Sequence, residues 1–190
     1  MKIAVVGAAG MVGSRVVAEA TGRGHDVTPV FRDTTSLADA LSGVDAVVGA
    51  TRPRPGEEST VGPTTKALLD TAFAAGKRIL VVGGAAALRS PDGGLVLDDE
   101  RYVPPHIRPI AEASVRQLEV CREHAADWVY LSPPALLEPG ERTGTYRRGT
   151  EELLPGPSEI SAEDLAVAVL DELERPGSDR HFTVASGDRA

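Results

Sequence analysis

Met1-Lys2-Ile3-Ala4-Val5-Val6-Gly7-Ala8-Ala9-Gly10-Met11-Val12-Gly13 is the stretch on which the fold turns. Residues 3–6 are a short, continuous apolar run that stops at a glycine, the pattern of a strand buried on both faces of a parallel sheet. From residue 10 to about residue 20 the period changes. Met11, Val12, Val16, Val17 and Ala20 fall on one stripe of a helix, and Gly22 and Gly24 end it. Gly7, Gly10 and Gly13 therefore lie at steps of three between a strand and a helix. Gly7 suits a sharp turn off the strand, Gly10 leaves the backbone bare for the approach of a ligand, and Gly13 lets the helix lie close to the sheet. Phosphate oxygens would then face free N–H groups at the positive end of the helix dipole. The spacing and its strand–loop–helix setting predict a bound dinucleotide rather than a bare turn, and no Gly-Lys-Ser/Thr follows that would make it a P-loop.

Working outward, residues 26–31 read as a second strand ending in Phe31-Arg32-Asp33. An acidic side chain at that place suits the ribose 2′-hydroxyl of NAD, whereas a guanidinium suits the 2′-phosphate of NADP. Arg32 is the first polar side chain after the strand, so the expected cofactor is NADP, with NAD possible and an Arg32–Asp33 surface pair as the plain alternative. Residues 34–41 read as a short helix, 46–48 as a strand leading to Ala50-Thr51, and 64–75 as a helix between Pro63 and Gly76. Residues 78–82 are another buried strand, running into Gly83-Gly84. A Gly- and Pro-rich segment, 84–107, follows, with a small strand expected at 95–97. A helix at 109–124 leads to a strand at 128–131, broken by Ser132-Pro133-Pro134. Residues 138–157 read as irregular, 162–174 as a helix opened by Ser161-x-x-Asp164, 181–184 as a last strand, and the remainder as a disordered tail. The alternation predicts one α/β domain over residues 1–190, a Rossmann fold with a doubly wound parallel sheet and helices on both faces.

Composition narrows the function. Among 190 residues the net charge of −8 disfavours nucleic acid and anionic membrane as partners, because the long-range field repels phosphate. Cys121 is the lone cysteine, which fits a reducing compartment, and its place on the apolar side of a helix reads as packing. No apolar run approaches the roughly 18 residues of a membrane span, and no charged leader precedes the first strand. The expected localisation is cytoplasmic. His25, His106, His124 and His181 are scattered without ligand spacing, so no metal is expected.

The opening stretch together with Phe31-Arg32-Asp33 resembles the atypical short-chain dehydrogenase/reductase superfamily. Ile79-Leu80-Val81-Val82-Gly83-Gly84-Ala85 and Asp127-Trp128-Val129-Tyr130-Leu131-Ser132-Pro133-Pro134 resemble its NAD(P)H-binding, NmrA-like branch. Glu138-Pro139-Gly140-Glu141-Arg142-Thr143-Gly144-Thr145-Tyr146-Arg147 and Ile160-Ser161-Ala162-Glu163-Asp164-Leu165-Ala166 are similar to NADH-flavin reductases related to biliverdin reductase B. The resemblance implies NADP(H) in the crevice at the carboxyl ends of the strands and reduction of a flavin or similar planar acceptor. By position it implies cofactor contacts at Gly7, Ala9, Gly10, Met11, Val12 and Arg32. It puts Ala50 and Thr51 near the ribose, and Gly83, Ser132 and Pro133 near the nicotinamide. Two features depart from the superfamily. The strand that usually follows the Arg-Asp is missing, since Asp33 leads at once into the helical 34–41 segment. The Tyr-x-x-x-Lys pair is also absent, for none of Lys2, Lys66 and Lys77 lies four residues after a tyrosine.

That absence shapes the chemistry. Ketone reduction needs a proton donor at the developing alkoxide, whereas a flavin delocalises the incoming charge and asks the protein chiefly to stack two rings. The leading expectation is reduction of a flavin or quinone-like acceptor, and the runner-up is a non-catalytic NAD(P)-binding sensor of NmrA type. A sugar-nucleotide epimerase is disfavoured by the short chain. Tyr102 and Tyr146, in the two irregular segments, are the candidates for stacking on the acceptor. Ser132 and His106 read as turn and loop residues, while Arg52 and Arg54 either contact phosphate or keep their loop soluble. A monomer or homodimer is expected.

Overall fold

The computed structural model describes residues 1–32 and 34–187; Asp33 and residues 188–190, and with them the Arg32–Asp33 pairing and the last of the tail, lie outside it. The strands are β1 (Lys2–Val6), β2 (Asp26–Val30), β3 (Ala46–Gly49), β4 (Arg78–Val82), β5 (Trp128–Ser132), β6 (Leu136–Glu138), β7 (Tyr146–Gly149), β8 (Glu159–Ser161) and β9 (His181–Ser186). Seven make one sheet in the order β2-β1-β3-β4-β5-β9-β7, and β6 pairs with β8 in a separate ribbon. Every neighbouring pair of the large sheet is parallel except β7 with β9. The helices are α1 (Met11–Gly22), α2 (Leu37–Leu41), α3 (Val61–Ala74), α4 (Arg108–Arg122) and α5 (Ala162–Glu174).

The central strands are apolar on both sides because both sides are covered. Val129 and Leu131 of β5 face a core shared with α1 and α5, through Val16, Ala20, Leu165 and Val169. Trp128 and Tyr130 face the other core, with Leu68 and Leu69 of α3 and Leu118 and Cys121 of α4. Each fully buried Leu or Ile contributes about 1.5–3 kcal/mol, so the two cores are the main support of the doubly wound sheet expected from the sequence. The register brings the carboxyl ends level: Val6 lies beside Val30 and Gly49, Gly49 beside Val81, and Val82 beside Leu131. The order of successive strands reverses about β1, with β2 on one side and β3 on the other, and ligands of open α/β sheets bind at such a switch point.

Three expectations need correcting. Residues 138–157 are not irregular throughout, because β7 closes the far edge of the sheet and pairs Tyr146–Gly149 against β9. The same pairing extends the last strand to Ser186, so the chain stays ordered past residue 184. The strand expected at 95–97 is a single turn of 3₁₀ helix, Val96–Asp98, with one isolated bridge from Arg89 to Leu95. Around it the 84–107 segment folds on a small core of its own, made of Ala86, Leu88, Val96, Val103, Ala111 and Leu153. At the other edge, the sheet of described residues ends at β2, which accords with the missing strand after Arg32.

Candidate functional site

The glycine loop lies at the switch point, and its sequence is dictated by close approach. Gly7 has φ +88°, and a Cβ there would stand 2.4 Å from the carbonyl oxygen of Ala50. A Cβ on Gly13 would stand 2.1 Å from the carbonyl oxygen of Gly7, so α1 rests directly on the loop. The loop is pinned to the sheet by the Gly7 N–H, which donates to the Val30 carbonyl at 3.0 Å, and closed by the Gly10 N–H, which donates to the Gly7 carbonyl at 2.9 Å. What it leaves open matters more. Among the described residues the N–H groups of Ala9, Met11, Val12 and Gly13 have no backbone acceptor. Gly10 provides no side-chain cap, and the first turn of α1 carries no acidic residue. Unpaired donors at an uncompensated positive helix end fit a pyrophosphate.

Along the same edge the register assembles the other expected contacts. Arg32 follows β2 and is well exposed, with its guanidinium 3.6 Å from the Glu57 carboxylate. Ala50 and Thr51 are half-buried beside Gly7, and the Ala50 N–H donates to the Val6 carbonyl at 2.9 Å. The Gly83 N–H reaches the Leu131 carbonyl at 2.9 Å, which brings Gly83 next to Ser132-Pro133. Two residues at this edge need a different account from the one the sequence suggests. Gly83 makes room for the buried Tyr130 ring, whose hydroxyl lies 1.8 Å from where a Cβ would go. Ser132 is fully buried, and its hydroxyl is spent on Nε2 of His181 at 2.9 Å. Sequence reasoning passed over Phe31, which is 46% exposed at the end of β2 and, with exposed Met11, gives an apolar surface beside the loop. An exposed aromatic directly before Arg32 was the available signal.

Tyr102 and Tyr146 are not free ring faces at this edge. Tyr102 packs on the small core of the 84–107 segment, with the Arg101 guanidinium over its ring. Tyr146 donates its hydroxyl to Asp171 of α5 at 2.9 Å, and burial with that bond pushes its ionisation up to about 12. Tyr130 donates to the Ser114 carbonyl at 2.9 Å, and burial raises it far above the ordinary phenol. Cys121 is buried, which pushes its thiol up to about 12 and leaves it a packing residue. His106 is exposed in a turn at Pro105–Ile107.

The two motifs most distinctive in the sequence hold each other. Asp164 accepts from the Thr143 hydroxyl at 2.6 Å and the Gly144 N–H at 2.8 Å. Glu163 accepts from the Gly140 N–H at 2.7 Å and from Arg15 at 3.0 Å. The Ser161 hydroxyl donates to the Glu141 carbonyl at 2.8 Å and accepts from the Asp164 N–H at 3.0 Å, capping α5. Arg142 reaches Glu19 at 2.7 Å, and that bond, helped by Arg23, holds the Glu19 carboxyl down to about 2.

A concavity lies where β5 and β9 begin. This cleft of about 530 Å³ is lined by Arg89, Arg122, Glu151, Arg180 and His181 among others. From its wall a row runs inward, Glu151 to His181 Nδ1 at 3.5 Å and His181 Nε2 to the buried Ser132 at 2.9 Å. A serine with no exposed surface cannot meet a substrate, so the row is structural. Burial holds His181 below its usual range. Among the described residues no cluster of His, Cys, Asp and Glu is arranged for a metal ion, and no helix is long and apolar enough to cross a membrane.

A parallel sheet with an open glycine loop at its switch point defines a Rossmann dinucleotide-binding protein. The chain belongs to the NAD(P)H-binding family, whose model matches residues 30–176. It is similar in structure to a Burkholderia pseudomallei protein provisionally named as exported, with 39% identity, 97% and 99% of the two chains covered and a TM-score of 0.84. A protein from Bacteroides thetaiotaomicron provisionally named an epimerase shares 32% identity, with 100% and 98% covered and a TM-score of 0.87. One from Streptococcus pneumoniae provisionally named an NADH-flavin reductase shares 28%, with 98% and 100% covered and a TM-score of 0.85. One fold thus carries three different names, and the chemistry has to be argued from the site.

Proposed function

We propose that this protein binds NADPH across the carboxyl edge of its sheet and reduces a flavin or quinone-like acceptor. The observation that carries the reading is the α1 terminus: four N–H groups without a backbone acceptor among the described residues, no cap and no acid. Gly7, Ala9, Gly10, Met11 and Val12 would hold the pyrophosphate and Arg32 the 2′-phosphate. Ala50 and Thr51 would flank the ribose, and the half-buried Gly83 would floor the nicotinamide end through its backbone, with Ser132 and Pro133 buried beneath it as support rather than contact. When bound, the cofactor supplies a hydride, which with a solvent proton reduces the acceptor by two electrons as NADPH becomes NADP⁺.

The absence of a Tyr-x-x-x-Lys pair directs the choice of acceptor. Tyr130 and Ser132, at the end of β5, are buried, with their hydroxyls spent on Ser114 and His181. A ketone would lack its proton donor, whereas a flavin or quinone takes its proton from water. The bacterial relative named an NADH-flavin reductase supports the same class. A cytoplasmic setting, where NADPH is abundant, suits the single reduced cysteine.

The test is calorimetric titration of the protein with NADPH and NADH, followed by NADPH oxidation with and without FMN or a quinone. NADPH binding and acceptor-dependent turnover are expected, and a flat rate with every acceptor would sink the activity. Binding without turnover would establish the second reading, a dinucleotide sensor. That the buried hydroxyls of Tyr130 and Ser132 are already spent favours that alternative.

A further inference from the structure

The acid paired with Arg32 comes from a distant part of the chain. Arg32 follows β2, at the outer edge of the sheet, whereas Glu57 belongs to the loop after β3, on the far side of β1. Their side chains meet at 3.6 Å, with 63% and 44% of their surfaces exposed. The loop between β3 and α3 therefore arches past the end of β1, where the glycine loop lies, to reach the edge where the sheet stops. A turn with the Glu57 N–H on the Arg54 carbonyl at 2.9 Å shapes the arch, and Glu58 takes the Gly56 N–H at 3.0 Å. Glu58 thus closes the turn, and the Glu57 carboxylate has Arg32 as its partner among the described residues.

Dinucleotides differ at one point, the 2′ position of the adenosine ribose, and proteins read it with opposite charges. A carboxylate accepts from the 2′-hydroxyl of NAD, and a guanidinium binds the 2′-phosphate of NADP. This chain puts one of each side by side. We propose that Glu57 is a specificity-determining residue of the dinucleotide site: it accepts the 2′-hydroxyl of NAD(H) with the Arg32 pair intact, and must yield Arg32 to the 2′-phosphate of NADP(H). The inference rests on the dinucleotide reading given above. It makes the chain a dual-cofactor protein in which Glu57 raises affinity for one nucleotide and lowers it for the other.

Glu57→Gln tests it, because it keeps the shape and removes the charge. Both side chains are exposed, so the fold is retained, and circular dichroism checks this. Calorimetric titration of wild type and variant should show NADPH binding tighter by roughly three- to fivefold and NADH weaker by a similar factor, as an exposed ion pair allows. The ratio of the two dissociation constants then moves roughly ten- to twenty-fivefold in favour of NADPH. Shifts of both nucleotides in the same direction, or of neither, overturn the role of Glu57 while leaving the dinucleotide site standing. Wild-type protein that binds neither nucleotide overturns the site and this inference together.

Discussion

Two helix N-termini in this molecule sit close in kind and opposite in chemistry. The α5 terminus is filled by the protein itself: Ser161 caps it, Glu163 and Asp164 stand in its first turn, and the 140–144 loop is tied onto those two carboxylates. The α1 terminus has a glycine for a cap, no acid in its first turn, and donors without backbone partners among the described residues. A satisfied terminus is a structural joint. An unsatisfied one, stabilised by a rigid glycine turn, is a place kept for an anion from outside. The difference also explains why the most distinctive motifs of the sequence, 138–147 and 160–166, are not where chemistry is expected. They are specific because each must match the other.

The contrast can be broken first at α1. Gly13→Val should be the most damaging change, because the new side chain would meet the Gly7 carbonyl 2.1 Å away. A loss of about 3 kcal/mol or more is expected, read from urea midpoints, with dinucleotide binding lost as the loop is forced open. At α5, Asp164→Ala removes the acceptor of two hydrogen bonds. It should cost about 2–3 kcal/mol of stability yet leave NADPH affinity of the folded protein within twofold; a large fall in affinity would show that the clamp also builds the binding site.

Met11→Glu sharpens the comparison by making α1 resemble α5. Its effects should have opposite signs: a gain of about 0.5 kcal/mol in stability from the helix dipole, and NADPH binding weakened about tenfold, or about 1.4 kcal/mol. Thermal unfolding and calorimetry read the two separately. Ser161→Ala should cost about 1 kcal/mol through the lost cap, with binding unchanged. A further effect concerns pH. Arg142 and Arg23 hold the Glu19 carboxyl down to about 2 from its usual 4.5, so the pair contributes fully above pH 4.5. That contribution disappears as pH falls toward 2. Glu19→Gln should therefore flatten the acid limb of the stability profile over that window, and an unchanged limb would show that the pair carries nothing.

Much of this was legible in order along the chain. Residues 1–13 gave strand, turn and helix because period and glycine spacing are local properties, and Ser161-x-x-Asp164 announced its cap for the same reason. Arg32 could be marked because it stands at a strand end. Other features depend on what lies opposite. The role of Gly83 is decided by the Tyr130 ring, and that of Ser132 by His181. Tyr146 looked like a stacking residue until the fold set Asp171 before its hydroxyl. The 146–149 segment is polar, with two arginines, and reads as a loop because only one pairing edge makes it a strand.

The sequence by itself determined the alternation of strands and helices, the glycine loop and the cationic end of β2, all written in periods of two to four residues. Tertiary structure alone decided that β7 closes the far edge of the sheet, that the 140–144 loop is tied onto Glu163 and Asp164, and that Glu57 comes to rest against Arg32. Those outcomes depend on partners tens of residues apart, and a hydrogen bond or ion pair leaves no periodic trace in the chain that makes it.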